Sequence, residues 1–109
     1  MRVYISGAIS FDPDYRRKFS NAENKLSAIG LDVFNPAKTD DILPRCMSYD
    51  EIMKVDLLLL DMCDAIFMLH GWQKSNGAKI ELERALKNNK KIYLETDGYE
   101  NIDFTELDL

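Results

Sequence analysis

The sequence is poor in the residues that build metal and redox sites. It has one histidine and two cysteines in 109 residues. Cys46 and Cys63 are far apart, with no CxxC spacing and no Cys/His cluster, so no zinc site is legible. The chain reads as a reduced cytosolic protein with two structural or spare thiols, and no metal or cofactor is expected. Positive charge is also short: 14 Lys and Arg stand against 19 Asp and Glu, a net charge of −5 with a pI of about 4.8. An acidic balance argues against a nucleic-acid binder, which needs a basic face for phosphates. No apolar run approaches the roughly 18–20 residues of a membrane span; Leu57–Leu60 is a short piece of one element. The amino terminus enters a strand pattern directly, with no signal-peptide pattern. No internal repeat, low-complexity stretch or linker is visible.

What is present is the material of one folded domain. A hydrophobic fraction of 46% and a charged fraction of 30% are ordinary for a globular chain. At this length one core can form without disulfides or metal.

Residues 2–6 read as a strand ended by Gly7. Asp12 and Pro13 predict a helix start, with Asp12 as N-cap and Pro13 in the first turn. Tyr15, Phe19, Ala22, Leu26 and Ile29 then follow at helical spacing, and Gly30 is a stop. Residues 31–34 read as a second strand, ended by Asn35-Pro36, and a polar loop is expected to about Met47. Ser48 with Glu51 is a capping box, predicting a helix to Asp61 or Met62. Residues 64–69 are apolar almost throughout, as in a strand covered on both faces. A loop at 70–76, a helix over 77–88 and a strand over 92–95 complete the pattern. The acidic tail, residues 96–109, is weakly patterned and could form a loop with a short helix or an edge strand.

The alternation β-α-β-α-β-α-β predicts an open α/β fold: four or five parallel strands with helices on both faces, flavodoxin- or Rossmann-like, in the order 2-1-3-4. Ligands of such sheets bind beyond the carboxyl ends of the strands, where the strand order reverses. Chemistry is therefore sought in residues 6–11, 35–39 and 70–77.

Several residues break the structural pattern. Asp56 falls between Ile52, Leu59 and Leu60 on the apolar arc of its helix. A carboxylate there either caps a neighbouring loop or faces a cleft. Glu81 lies in an early turn of the next helix, beside Ala78, Leu82 and Ala85. The helix dipole there favours its charged form, which suits a nucleophile; a favourable surface acid is the alternative. Ser75-Asn76-Gly77-Ala78 is a helix start whose free amides can hold an anion or hydroxyl, although it is no P-loop. Ser6-Gly7-Ala8-Ile9-Ser10 is not a dinucleotide fingerprint, yet Gly7 permits close ligand approach. Tyr4 reads first as a core ring. Trp72, in a polar loop, suits a flat ligand, a subunit contact or simple packing, and His70 beside it reads as a loop or interface residue. Two carboxylates without metal or cysteine fit glycosidic-bond chemistry.

Together these residues resemble the nucleoside 2-deoxyribosyltransferase-like superfamily, which includes 2'-deoxynucleoside 5'-monophosphate N-glycosidases and small phage and bacterial proteins. The resemblance spans residues 3–94. It rests on Val-Tyr-Ile-Ser-Gly-Ala-Ile at 3–9, Asn-Pro-Ala at 35–37, Asp56-Leu57, Cys63-Asp64-Ala65, Gly71-Trp72 and Ser75-x-Gly77-x-x-x-Glu81. It implies that residues 1–109 form one such domain acting on a nucleoside or nucleotide, with Glu81 as nucleophile and Asp56 and Tyr4 beside it. Gly7, Ala8, Ser10, Trp72, Ser75 and Gly77 would then bind substrate, Ser75 and Gly77 in the segment that holds phosphate in the monophosphate hydrolases. Ala8 and Ser10 stand where those hydrolases carry Ser and Arg, so a charge-assisted phosphate contact is missing. The resemblance also implies a homo-oligomer, with Trp72 and the tail as contacts. A non-catalytic nucleotide-binding or sensing module in the same cleft is the second reading, and an interaction protein with ordinary acidic caps the third.

Overall fold

The computed structural model describes residues 1–10, 12–95 and 105–106. Strand β1 (Arg2–Ser6) is followed by α1 (Tyr15–Ala28), β2 (Asp32–Phe34), α2 (Pro36–Asp41), α3 (Tyr49–Asp61), β3 (Ala65–Met68), a 3₁₀ turn (Trp72–Lys74), α4 (Asn76–Lys87), β4 (Lys91–Leu94) and β5 (Thr105–Glu106). The sheet order is β2-β1-β3-β4-β5. The first four strands are parallel, in the expected order 2-1-3-4. The fifth pairs antiparallel with β4, so the sheet is not parallel throughout. The rest of the tail expectation lies outside the described residues.

Alternation along β1 sorts the molecule into two cores. Val3 and Ile5 face α1 and pack with Phe19, Ala22, Leu26 and Phe67. Tyr4 faces the other side, toward α3 and α4, with Leu60, Ile66, Met68, Ala78 and Ala85. Each fully buried Phe or Leu contributes about 1.5–3 kcal/mol through area removed from water. β3 lies between β1 and β4 with all four residues buried, which accounts for its unbroken apolar run.

Two boundaries differ from the sequence expectation. Helix α1 begins at Tyr15, not at Pro13. Asp12 is not its N-cap: Asp12 Oδ1 accepts from the amide of Asp14, two residues on, and closes a turn ahead of the helix. The segment after Asn35-Pro36 is not all loop. Asn35 accepts from the amide of Ala37, and Pro36 occupies the first turn of α2. The pair that ends β2 is thus also a cap followed by a first-turn proline.

The capping box is formed as expected: Ser48 Oγ accepts from Glu51 N at 3.2 Å, and Glu51 Oε1 accepts from Ser48 N at 2.9 Å. Cys46 is exposed and Cys63 buried, both as free thiols, and burial pushes the Cys63 thiol up to about 11. Among the described residues no helix is long and apolar enough to cross a membrane.

Candidate active site

The chain leaves β1 for one side of the sheet and β3 for the other, so the strand order reverses between them. A cavity of about 440 Å³ opens beyond their carboxyl ends. That volume lies within the range of small-molecule sites, about 300–1,000 Å³. The loop after β1 supplies Gly7 and Ser10, and α2 supplies Asp40. Helix α3 supplies Tyr49, Met53 and Asp56, and the start of α4 supplies Ser75, Gly77 and Glu81.

Glu81 is the best-held acid in this wall, only 6% exposed. Tyr4 Oη donates to its Oε2, and Ser6 Oγ donates to its Oε1 at 2.7 Å. Both donors follow from the two-residue repeat of β1, which turns residues 4 and 6 to the same face. Burial dominates the titration of Glu81, against the pull of the two hydroxyls, and raises it to about 7; Asp40 adds to the rise. The loss of water around Glu81 thus opposes the helix start, which favours its charged form. Tyr4 is driven well above its ordinary value, by burial first and then by Glu81 and Asp56.

Asp56 is 4% exposed, and its carboxyl is pushed up to about 8, chiefly by burial, then by the charge of Asp40 and a hydrogen bond with it, then by Glu81. Asp40 is raised as well, by burial first. Glu81 and Asp56 are therefore both acids that hold protons well above the usual carboxylate range. Glu81 has two hydroxyl donors favouring its charged form, whereas Asp56 has a neighbouring acid favouring its neutral form.

Of the residues singled out from sequence, the cavity brings together Gly7, Ser10, Asp56, Ser75, Gly77 and Glu81. Tyr4 lies behind the wall, fully buried, and reaches the site through Glu81. Ala8 and Trp72 line a second cavity, of about 640 Å³, which adjoins the first at Ser10 and Lys74. Trp72 also packs against the core of the α3/α4 face. At Gly7 a Cβ would sit 2.9 Å from Leu69 Cβ. Its missing side chain makes room for Leu69, and the residue also lines the cavity. At Gly77 a Cβ would meet Tyr49 Oη at 3.1 Å, so that glycine keeps the helix start open against α3. Ser75 Oγ accepts from the amide of Ala78, capping α4.

From the sequence, Ser6, Asp40, Tyr49 and Lys74 carry no assigned role, although Ser6 and Lys74 fall within segments 6–11 and 70–77. Ser6 was findable, two residues from Tyr4 on the same strand face. Asp40 lay inside an expected loop, and nothing local marks it.

Comparison with solved structures defines the class of fold. A 2-deoxyribosyltransferase of Bacillus psychrosaccharolyticus superposes with a TM-score of 0.73 at 22% identity, over 93% of this chain and 77% of that one. A 2-desoxiribosyltransferase of Leishmania mexicana gives 0.67 at 20% identity, over 98% and 78%. A CMP N-glycosidase of Clostridium botulinum, BcmB, gives 0.62 at 26% identity, over 86% and 70%. The fold is that of the nucleoside 2-deoxyribosyltransferase-like superfamily. No curated protein matches the sequence. The family described as "Domain of unknown function (DUF4406)" matches residues 1–94, and the chain belongs to that family.

Proposed function

We propose that the protein cleaves or exchanges the N-glycosidic bond of a nucleoside or nucleotide, with Glu81 as nucleophile. The observation that carries this reading is the pair of buried carboxyl groups, Glu81 and Asp56, in one wall of a nucleoside-sized cavity, one held by two hydroxyl donors and the other beside a second acid. The similarity to a deoxyribosyltransferase and to a CMP N-glycosidase supports it.

In this mechanism an ionised Glu81 oxygen attacks the anomeric carbon. The C–N bond breaks, its electron pair moves to the base, and Asp56 delivers a proton to the departing base. Water, or a second base, then displaces Glu81 from the sugar, so configuration is retained. Tyr4 and Ser6 align the Glu81 carboxylate and favour its charged form. Lys74, on the cavity rim, is a cation available to a 5'-phosphate, and Ser75 and Gly77 lie beside it.

The test is incubation of the purified protein with deoxynucleosides, ribonucleosides and their 5'-monophosphates, with and without a second free base, reading base release or exchange by chromatography. Glu81→Ala is expected to lose about 10³-fold or more of the turnover while keeping its thermal transition. Full activity in that variant removes Glu81 from the mechanism. A ligand-induced rise in melting temperature with no base released by the wild type identifies a binding module instead.

A further inference from the structure

Among the described residues, Asp40 is the one acidic side chain of the cavity wall that the mechanism above does not use. It stands near the end of α2, half-buried, and lines the same cavity as Asp56. Among the described residues, two buried side-chain oxygens lack a hydrogen-bond partner: Asp40 Oδ1 and Asp56 Oδ1. The two carboxyl groups line one cavity, each with an unpartnered buried oxygen, and Asp40 acts on Asp56 both as a charge and as a hydrogen-bond partner. Asp56 is itself 96% buried, from its 4% exposure, and lines the cavity.

The groups around the pair do not neutralise it. Glu81 faces it from α4 and adds to the cost of a second negative charge, while the charge of Asp56 helps to keep the Tyr4 phenol on β1 protonated. Asp41, on α2, has the same sign, although Arg16 holds its carboxylate at 2.7 Å. Tyr49 on α3 and Lys74 in the 3₁₀ turn line the same cavity. Two carboxylates in contact, in such surroundings, do not both ionise near neutrality. With one proton between them, one carboxyl donates and the other accepts.

We propose that Asp40 is a positioning residue which shares a single proton with Asp56 and so keeps an acid ready at the leaving-group side of the cavity at neutral pH. The proton-sharing is a property of the unliganded protein, whereas its catalytic use rests on the N-glycosidic reading. In the first half-reaction the C–N bond breaks, its electron pair goes to the base, the Glu81–carbon bond forms, and the shared proton moves from Asp56 to the base. In the second, water forms the new C–O bond, the bond to Glu81 breaks, and the proton lost by water returns to the pair. The negative charge left on the pair between the two steps favours that return. An isolated, solvated aspartate has given its proton to water long before pH 7 and could not act in the first step.

The experiment uses the full chain labelled with ¹³C at the aspartate side-chain carboxyl carbons, titrated by NMR without ligand, as wild type, Asp40→Asn and Asp56→Asn. In the wild type one aspartate carboxyl is expected to titrate near or above neutrality. In Asp40→Asn that transition should fall by about one pH unit or more, because the amide donates to Asp56 and carries no charge. In Asp56→Asn the near-neutral transition should vanish. Wild-type aspartates that all titrate below about pH 5, or a near-neutral transition unmoved by Asp40→Asn, overturn the proposal. For turnover, the alkaline limb of the kcat profile should move to lower pH in Asp40→Asn. The loss should be about threefold or more at pH 7.5 and should narrow toward pH 5.5. A loss equal at every pH would make Asp40 merely structural and overturn its role in catalysis. A shared proton seen by NMR in a protein that releases no base supports the pair and overturns the glycosidic reading alone.

Discussion

A buried acid keeps its charge only if donors hold it, and at Glu81 those donors are two hydroxyls of β1. Tyr4→Phe removes one of them and leaves Oε2 without its partner. Both hydroxyls pull the Glu81 titration down against burial, so their loss moves it further up. The acid limb of the kcat/KM profile should therefore shift to higher pH. A shift of one pKa unit corresponds to about a tenfold loss on the acid side, so Tyr4→Phe should lose about tenfold at pH 6 and less near pH 8. A profile lowered uniformly, with its acid limb in place, would mean that Tyr4 acts by packing alone. Legibility at this scale follows from whether a residue breaks its own element's pattern. Asp56 interrupts an apolar arc and so stands out in the sequence. Ser6 does not, because serine at a strand end is unremarkable until the partner of its hydroxyl is known. Asp40 is illegible because its partner lies on another helix. The ionisation of Glu81 is not legible from local sequence, because the dipole is a local quantity whereas burial belongs to the finished fold.

At the scale of elements, the strand order and the positions of the main helices are readable from periodicity, since each long element buries one face. What is not readable lies in the connections. Asn35-Pro36 ends β2 and starts α2 with the same two residues, and local preference for a turn conceals a six-residue helix. That short helix matters, because it carries Asp40 into the cavity. The turn after β1 has a similar ambiguity. A glycine at a strand's carboxyl end suits close ligand approach, but at Gly7 the space is filled by Leu69, whose own amide donates to the carbonyl of Ser6 at 2.8 Å. Gly7→Ala places a Cβ 2.9 Å from Leu69 Cβ, too near the backbone to be relieved by a rotamer change. Overpacking of this kind costs about 1–3 kcal/mol, and each kcal/mol lowers the melting temperature of a domain this size by about 4–8 °C. Thermal unfolding should show that loss. An unchanged melting temperature would show that β1 and the segment after β3 can separate freely.

For the molecule as a whole, the site carries a stability cost that depends on pH. Asp56 rises to about 8 and Glu81 to about 7 on folding, burial being the first cause of each. Between their ordinary values near 4 and these raised ones, the folded chain binds more protons than the unfolded chain. Stability is then full below about pH 4 for these two groups and declines as pH rises through 7 and 8. The opposing groups are acids lowered by partners, such as Asp12 beside Lys18 and Asp61 beside Arg84. They contribute stability above their ordinary values and lose it as pH falls, but they sit at the surface, where such pairs are weak. The unliganded protein should therefore be most stable on the acid side of neutrality. Asp56→Asn keeps the shape of the side chain and removes one of the two penalties. It should unfold at a higher temperature than the wild type at pH 8, by at least about 1 kcal/mol, or about 4–8 °C, and the two curves should converge as pH approaches 4.5. On the proposed mechanism the same substitution should lower turnover, because the group that destabilises the fold is the proton donor proposed for the base. Thermal unfolding of both proteins from pH 4.5 to 8.5 measures the effect directly. A wild-type melting temperature that climbs steadily to pH 8, with Asp56→Asn below it throughout, would mean that Asp56 is ionised and stabilising in the native fold, and the acid in the cavity would have to be sought elsewhere.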